Sequence, residues 1–323
     1  MTRSARALRI LLAAGFAAAC DPQGSSADRA GGARPPALPD TASEPLVDVP
    51  TVYGTHFLLL STEGATPVGL ALHLVARAEP ARLLRDHRGW LWRGTEWTPV
   101  AWDRVEEAPT RRPWRIFPAS NLKLIVGEQG EVTELIARST GGRVTLRPGP
   151  VLDRWEDADA ARRQIRQAML QLAGAPLPAI LLEEQVARPR ASIPPPFRGH
   201  DSAVLRLGGG DFLILSHTRD PEGYGRSFAW SSLGGVQRRW DRVEIQALER
   251  MNDTTVGRVV PVRWQITIPE PGITGELTAQ SSRAAPYSDA PASPVHLAYR
   301  VSGWIEADGR RRDAAGLLEH GEP

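Results

Sequence analysis

The sequence predicts an all-β protein made of two units joined by one helix. Three observations carry this. Short runs of alternating apolar and polar residues, closed by glycine- or proline-bearing turns, recur from Thr51 to His320. One stretch alone, Asp157 to Ala173, spaces its apolar residues as a helix does. A pentapeptide, Trp102-Asp103-Arg104-Val105-Glu106, returns as Trp240-Asp241-Arg242-Val243-Glu244, as expected of a duplicated unit.

Ahead of the strands, residues 1–20 have the marks of a signal peptide. Arg3, Arg6 and Arg9 form a basic start, Ile10 to Ala19 is apolar, and small residues precede Cys20, the only cysteine among 323 residues. The run is too short to span a bilayer, which takes about 20 apolar residues. The segment resembles the lipobox of bacterial lipoproteins, in which such a cysteine is lipidated and becomes the mature N-terminus. Ala17 stands where that pattern usually has Leu, and a plain secretory signal is the other reading. The resemblance implies a lipid-anchored protein of the cell membrane or outer membrane, facing the periplasm. Residues 21–50 are rich in Pro, Gly, Ala and Ser and lack an apolar period. Such a composition buries too little surface to offset the entropy of ordering, so a disordered tether is expected, with a reach of roughly 30 Å.

With 41% hydrophobic and 24% charged residues, the rest has the composition of an ordinary folded domain. Discounting the three arginines of the signal takes the formal net charge from +2 to −1, so charge gives no argument for nucleic acid as a partner. A sole cysteine excludes an internal disulfide, which leaves core burial to stabilise the fold. A sole lysine, Lys123, argues against Schiff-base chemistry.

The N-terminal β unit is expected over residues 51–156. Val52 to Leu60 and Val68 to Ala76 read as a hairpin, with Val68, Leu70, Leu72 and Leu74 on one face and His73 on the other. The connecting helix is expected over 157–176. Asp157 or Asp159 caps it, Ile165, Met169 and Leu172 form its apolar stripe, and Gly174 with Pro176 ends it. A C-terminal β unit over 177–323 completes the chain. Its Gly208-Gly209-Gly210 reads as a hairpin turn rather than a phosphate loop, because a strand follows.

Two further echoes accompany the repeated pentapeptide. Trp114-Arg115-Ile116 matches Trp264-Gln265-Ile266, and Phe57-Leu58-Leu59-Leu60-Ser61 matches Phe212-Leu213-Ile214-Leu215-Ser216. The segments Val262-Arg263-Trp264-Gln265-Ile266-Thr267-Ile268-Pro269 with Gly272-Ile273, Ser302-Gly303-Trp304-Ile305-Glu306, and Gly316-Leu317-Leu318-Glu319-His320 resemble the lipocalin-like AttH and carotenoid 1,2-hydratase superfamily. The likeness covers Leu177 to His320 best and Thr51 to Glu156 more loosely. Ala314-Ala315 stands where the pattern has a further glycine. The resemblance implies two lipocalin-like β-barrel or sandwich units, apolar and often isoprenoid-like ligands, and in some relatives hydration or isomerisation of double bonds.

Candidate sites follow from strand alternation. In Val262 to Ile268 the even positions are apolar and the odd ones polar, as a barrel wall requires. Trp230, Trp264 and Trp304 are the candidate ligand-lining residues, though tryptophans are equally ordinary core. An acid to protonate a double bond and a base to activate water would come from Asp, Glu or His. Glu306, Glu319, His320 and His217 are the candidates, with Glu319 and His320 on opposite faces of the last strand. Ion pairing with the many arginines is the bland alternative for an acid such as Glu306. No metal or cofactor is expected. The seven histidines show neither HxH nor HExxH spacing, and no Rossmann, Walker or nucleophile-elbow pattern occurs. The leading expectation is binding or carriage of a hydrophobic small molecule or lipid in the C-terminal unit. A hydratase- or isomerase-like enzyme on an isoprenoid-type lipid, and a scaffold lipoprotein with filled barrels, are the alternatives.

Overall fold

The computed structural model describes residues 51–64, 66–109, 113, 122–127, 131–156, 162–189, 199–219, 226–254, 256–286 and 295–322. Among them every regular element is a strand, apart from one 3-10 turn at Gly208–Gly210. No helix in these residues is long and apolar enough to cross a membrane.

The first nine strands are β1 (Thr51–Ser61), β2 (Val68–Glu79), β3 (Arg82–Arg93), β4 (Glu96–Glu107), β5 (Leu122–Val126), β6 (Val132–Ser139), β7 (Gly142–Glu156), β8 (Arg162–Leu172) and β9 (Ala175–Pro189). They form one antiparallel sheet in the order β4-β3-β2-β1-β9-β8-β7-β6-β5. It curls until β4 lies beside β6, which makes a nearly closed barrel. The second nine are β10 (His200–Leu207), β11 (Phe212–Thr218), β12 (Arg226–Leu233), β13 (Val236–Trp240), β14 (Glu244–Asp253), β15 (Arg258–Ile268), β16 (Ile273–Pro286), β17 (Val295–Ala307) and β18 (Arg310–Glu322). Their order, β13-β12-β11-β10-β18-β17-β16-β15-β14, repeats the first, strand for strand.

Alternation sorts each strand into an inner and an outer face. On β1, Phe57 and Leu59 enter the N-terminal core, while Leu58 and Leu60 face the other sheet. On β10, Ala203 and Leu205 enter the C-terminal core, while Val204 faces the first sheet. The even positions of β15 are inside as expected, with Trp264, Ile266 and Ile268 at 0% exposure. The outer faces of β1, β2 and β9 meet those of β10, β11 and β18 in a third apolar layer, which includes Leu182, Trp230 and Leu317. Each leucine taken out of water there stabilises by about 1.5–3 kcal/mol.

The helix expected over Asp157 to Ala173 is instead β8, hydrogen-bonded along its length to β9; residues 157–161 lie outside the described ones. Its apolar residues obey a period of two rather than 3.6: Ala168 and Leu170 enter the core, and Ile165 faces the other sheet. Ala173 and Gly174 have φ of 50° and 89° and make a two-residue hairpin turn that sets Leu172 opposite Ala175. The glycine taken as a helix stop is therefore a strand reversal. The boundary between units moves with it, since β8 and β9 complete the first sheet and the second starts at His200.

The repeated pentapeptide begins on equivalent strands but does not stay on them: Trp102 to Glu106 lie within β4, whereas Asp241 to Val243 lie beyond β13 and Glu244 opens β14. Trp102 lies on β4 and Trp240 ends β13, its counterpart. Phe57 is on β1 but Phe212 is on β11, the counterpart of β2, and Trp114 lies outside the described residues.

Candidate functional site

Strands β10 and β18 are shared walls, so their two faces carry two separate polar groupings. The register sets His200 opposite Gly321, Asp201 opposite His320 and Ser202 opposite Glu319. Asp201 and His320 point inward with Leu205 and Leu318, whereas His200 and Glu319 point outward with Val204 and Leu317.

Inside the C-terminal sheet, His320 Nδ1 lies 2.6 Å from Asp201 Oδ1, and both side chains are fully buried. His320 Nε2 lies 3.0 Å from Glu322. Arg219 pairs with Asp201, and Arg250 with Glu322. Burial works against charge on His320, but the hydrogen bonds to Asp201 and Glu322 outweigh it and raise its pKa. Burial likewise opposes the Asp201 carboxylate, and His320 with Arg219 overcomes that and lowers it. Glu322 is brought down to about 2, because His320 and Arg250 more than offset its burial.

The same interior holds buried polar atoms without a hydrogen-bond partner in the protein, among them Tyr299 Oη, Trp264 Nε1, His217 Nδ1 and Ser231 Oγ. Tyr299 and Trp264 are 1% and 0% exposed and meet edge to face, with ring centroids 5.0 Å apart. Burial, and then the negative charges of Asp253 and Glu322, push the Tyr299 hydroxyl well above its ordinary pKa. Burial lowers the pKa of His217. Each unpaired buried group costs about 1–3 kcal/mol, so such groups in native folds normally have a partner.

The outer grouping lies between the sheets. A cross-strand row of the first sheet runs Arg163 (β8), Glu184 (β9), His56 (β1), His73 (β2). Facing it, the second sheet offers Glu319, His200 and His296. The His56 and His73 rings stack at 4.1 Å, and both turn Nε2 to the Glu319 carboxylate, His73 at 2.9 Å. His296 stands edge-on to His73 at 4.5 Å, with His200 4.7 Å beyond. Burial opposes the Glu319 charge, but the two imidazoles outweigh it and hold the carboxyl well below its ordinary pKa. Burial brings His200 down to about 4, and it lowers His296 and His73 as well.

Of the residues singled out from sequence, His217, His320 and Trp264 come together inside the C-terminal sheet, and Glu319 lies on the far side of the same wall. Trp230 is buried between the sheets rather than in that interior, because the even positions of β12 face outward. Glu306 and Trp304 are on the outer face of β17. Glu306 is exposed and Trp304 carries the Arg311 guanidinium 4.2 Å over its ring, so both lie outside the interior of the C-terminal sheet. Cys20 lies outside the described residues. Asp201, Tyr299 and the outer histidines were missed. Spacing rules look along the chain, and these residues meet across strands; only the placing of His73 opposite the leucines of β2 signalled the outer row.

No family model matches the sequence, and neither does any curated protein. Solved structures do match the fold. An AttH-like protein from Nitrosomonas europaea, 12% identical, aligns over 84% of this chain and 92% of its own, with a TM-score of 0.52. Kievitone hydratase from Nectria haematococca, 10% identical, aligns over 87% of this chain and 94% of its own, with a TM-score of 0.53. The fold is therefore the lipocalin-like, two-sheet AttH and hydratase type that Val262 to His320 resemble.

Proposed function

We propose that the C-terminal sheet binds an apolar molecule with one oxygen-bearing end and acts on it by acid–base chemistry of the hydratase or isomerase type. The observation that carries this reading is the set of unpartnered Tyr299, Trp264 and His217 atoms beside the Asp201–His320–Glu322 chain, all within one apolar interior. Trp264 and the aliphatic residues around it hold the hydrocarbon part, and the Tyr299 hydroxyl and Trp264 N–H donate to its oxygen. Asp201 orients the His320 ring through Nδ1, and His320 Nε2 leaves Glu322 to exchange a proton with the substrate carbon or with the water being added or lost. The likeness in fold to kievitone hydratase supports a hydratase-type reaction over simple carriage. The lipid anchor at Cys20 is part of the same proposal and would hold the domain beside a membrane that supplies apolar substrates. Globomycin-sensitive maturation that is lost in Cys20→Ser is the outcome expected of it.

The test is to incubate the full chain with an apolar extract of the cells that make it, in D2O, and to analyse retained and released species by mass spectrometry. A species gaining one D2O or one deuterium is expected. His320→Asn should keep the bound species and lose the labelling, and Trp264→Ala should lose both. Binding without labelling would leave a carrier. Neither binding nor labelling would end the reading.

A further inference from the structure

We infer that His56, His73 and Glu319 form a binding site for one divalent transition-metal ion of the zinc class, which ties the two sheets together. The site lies across the β10–β18 wall from the proposed reaction site and does not depend on it.

The geometry comes first. His56 Nε2, His73 Nε2 and a Glu319 carboxylate oxygen all lie within 4.8 Å of one another. Tetrahedral bonds of about 2.0–2.1 Å to nitrogen and oxygen set neighbouring ligand atoms roughly 3.3 Å apart, so small rotations suffice to close around an ion. The stacked rings present two nitrogens on one side, and the carboxylate comes from the opposite sheet. The side chains are 12%, 15% and 3% exposed, so the site is enclosed yet open to entry from the His56 and His73 side.

The donor set selects the metal. Two imidazoles and one carboxylate suit Zn2+ and its neighbours, whereas Mg2+ and Ca2+ take all-oxygen sites. His296 and His200 extend the cluster as further imidazoles behind His73. Gly321 makes room for them. A Cβ there would come within 2.5 Å of the His200 ring and 3.4 Å of His296 Nε2. Without a metal, a core that gathers these rings round one carboxylate forgoes the stability that apolar side chains would give at the same place. A metal bond network supplies free energy of the size needed to offset that.

The experiment uses the full chain, stripped with a chelator and dialysed. Titration with Zn2+ should show one bound ion per chain and a rise in the thermal midpoint. Co2+ as a probe should give visible d–d absorption. Losing a ligand in His73→Ala or Glu319→Gln should weaken binding by more than the roughly 10–100-fold that losing an outer partner costs. Both variants should lose the Zn2+-dependent rise. His217→Ala, on the other side of the wall, should bind Zn2+ as the parent does. If a ligand variant fails to fold, His56→Asn read by Co2+ absorption decides. No uptake by the parent chain, or uptake unchanged in the ligand variants, would overturn the proposal.

Discussion

The N-terminal barrel links several of its internal polar groups in one chain. Arg162 bonds Gln185, Gln185 bonds Glu183, and Glu183 pairs with Arg166, which also donates to the carbonyl of Gly149. The C-terminal sheet, built in the same strand order, has a comparable chain in Asp201, His320 and Glu322 but leaves Tyr299, Trp264 and His217 with unpaired atoms. Equal topology with different polar residues teaches that the shared strand order fixes where side chains point, while the sequence decides which chemistry they bring there. The largest expected effect tests the chains against each other. Asp201→Ala leaves His320, fully buried, without its carboxylate and should cost about 3–5 kcal/mol in urea unfolding. Glu183→Ala should cost less, because its charged partner Arg166 is 13% exposed and can rehydrate, whereas His320 is fully enclosed. Equal losses would remove the asymmetry in burial.

Two glycines give a second comparison. Gly316 on β18 has no room for a side chain: a Cβ would lie 2.1 Å from the Val204 carbonyl oxygen and 3.0 Å from Leu205 Cα, both backbone atoms. Gly54 on β1 has nothing within 4 Å of the equivalent point. Gly316→Ala should therefore destabilise by about 2–3 kcal/mol through forced backbone shifts. Gly54→Ala should change stability little, or raise it by roughly 0.5 kcal/mol through the unfolded state. A calorimetric comparison that ranks them the other way would show that β10 and β18 are not the tighter pair.

A smaller effect bears on function. Tyr299→Phe removes a buried hydroxyl with no partner while keeping the ring against Trp264. The ligand-free protein should gain about 1 kcal/mol, and retention of the bound apolar species should weaken. If the variant loses stability instead, the hydroxyl has a partner in the folded protein and is not held ready for a ligand.

Strand content was legible because alternation is a local signal: Val68 to Leu74 and Val262 to Ile268 declare their faces in seven residues each. The inner site was legible in part for the same reason, since His217, Trp264 and His320 could be assigned faces on their own strands. Asp201 could not be joined to His320 without knowing that β10 pairs with β18, a contact 119 residues apart along the chain. The outer row was harder still. His56, His73, His200 and His296 meet through sheet register and the packing of two sheets, neither of which any short window encodes.

The misread helix has a local cause that can be tested directly. Its end, Leu172-Ala173-Gly174-Ala175-Pro176, lacks a strong turn signal, whereas the equivalent hairpin of the second sheet carries Asp308-Gly309. Both turns hold two residues at positive φ: 50° and 89° at Ala173 and Gly174, 53° and 66° at Asp308 and Gly309. Asp tolerates that conformation and Asp-Gly is favoured in such turns, while the alanine Cβ crowds the following carbonyl. Ala173→Asp should therefore stabilise by about 0.5–1 kcal/mol, and Asp308→Ala should cost a similar amount. The pairing of Asp308 with Arg238, at 3.8 Å on the surface, adds little to the second figure. Because the turns belong to different sheets, the double swap should leave stability near that of the parent. A loss of stability in Ala173→Asp would mean that the β8–β9 turn is held by its surroundings rather than by its own backbone preference.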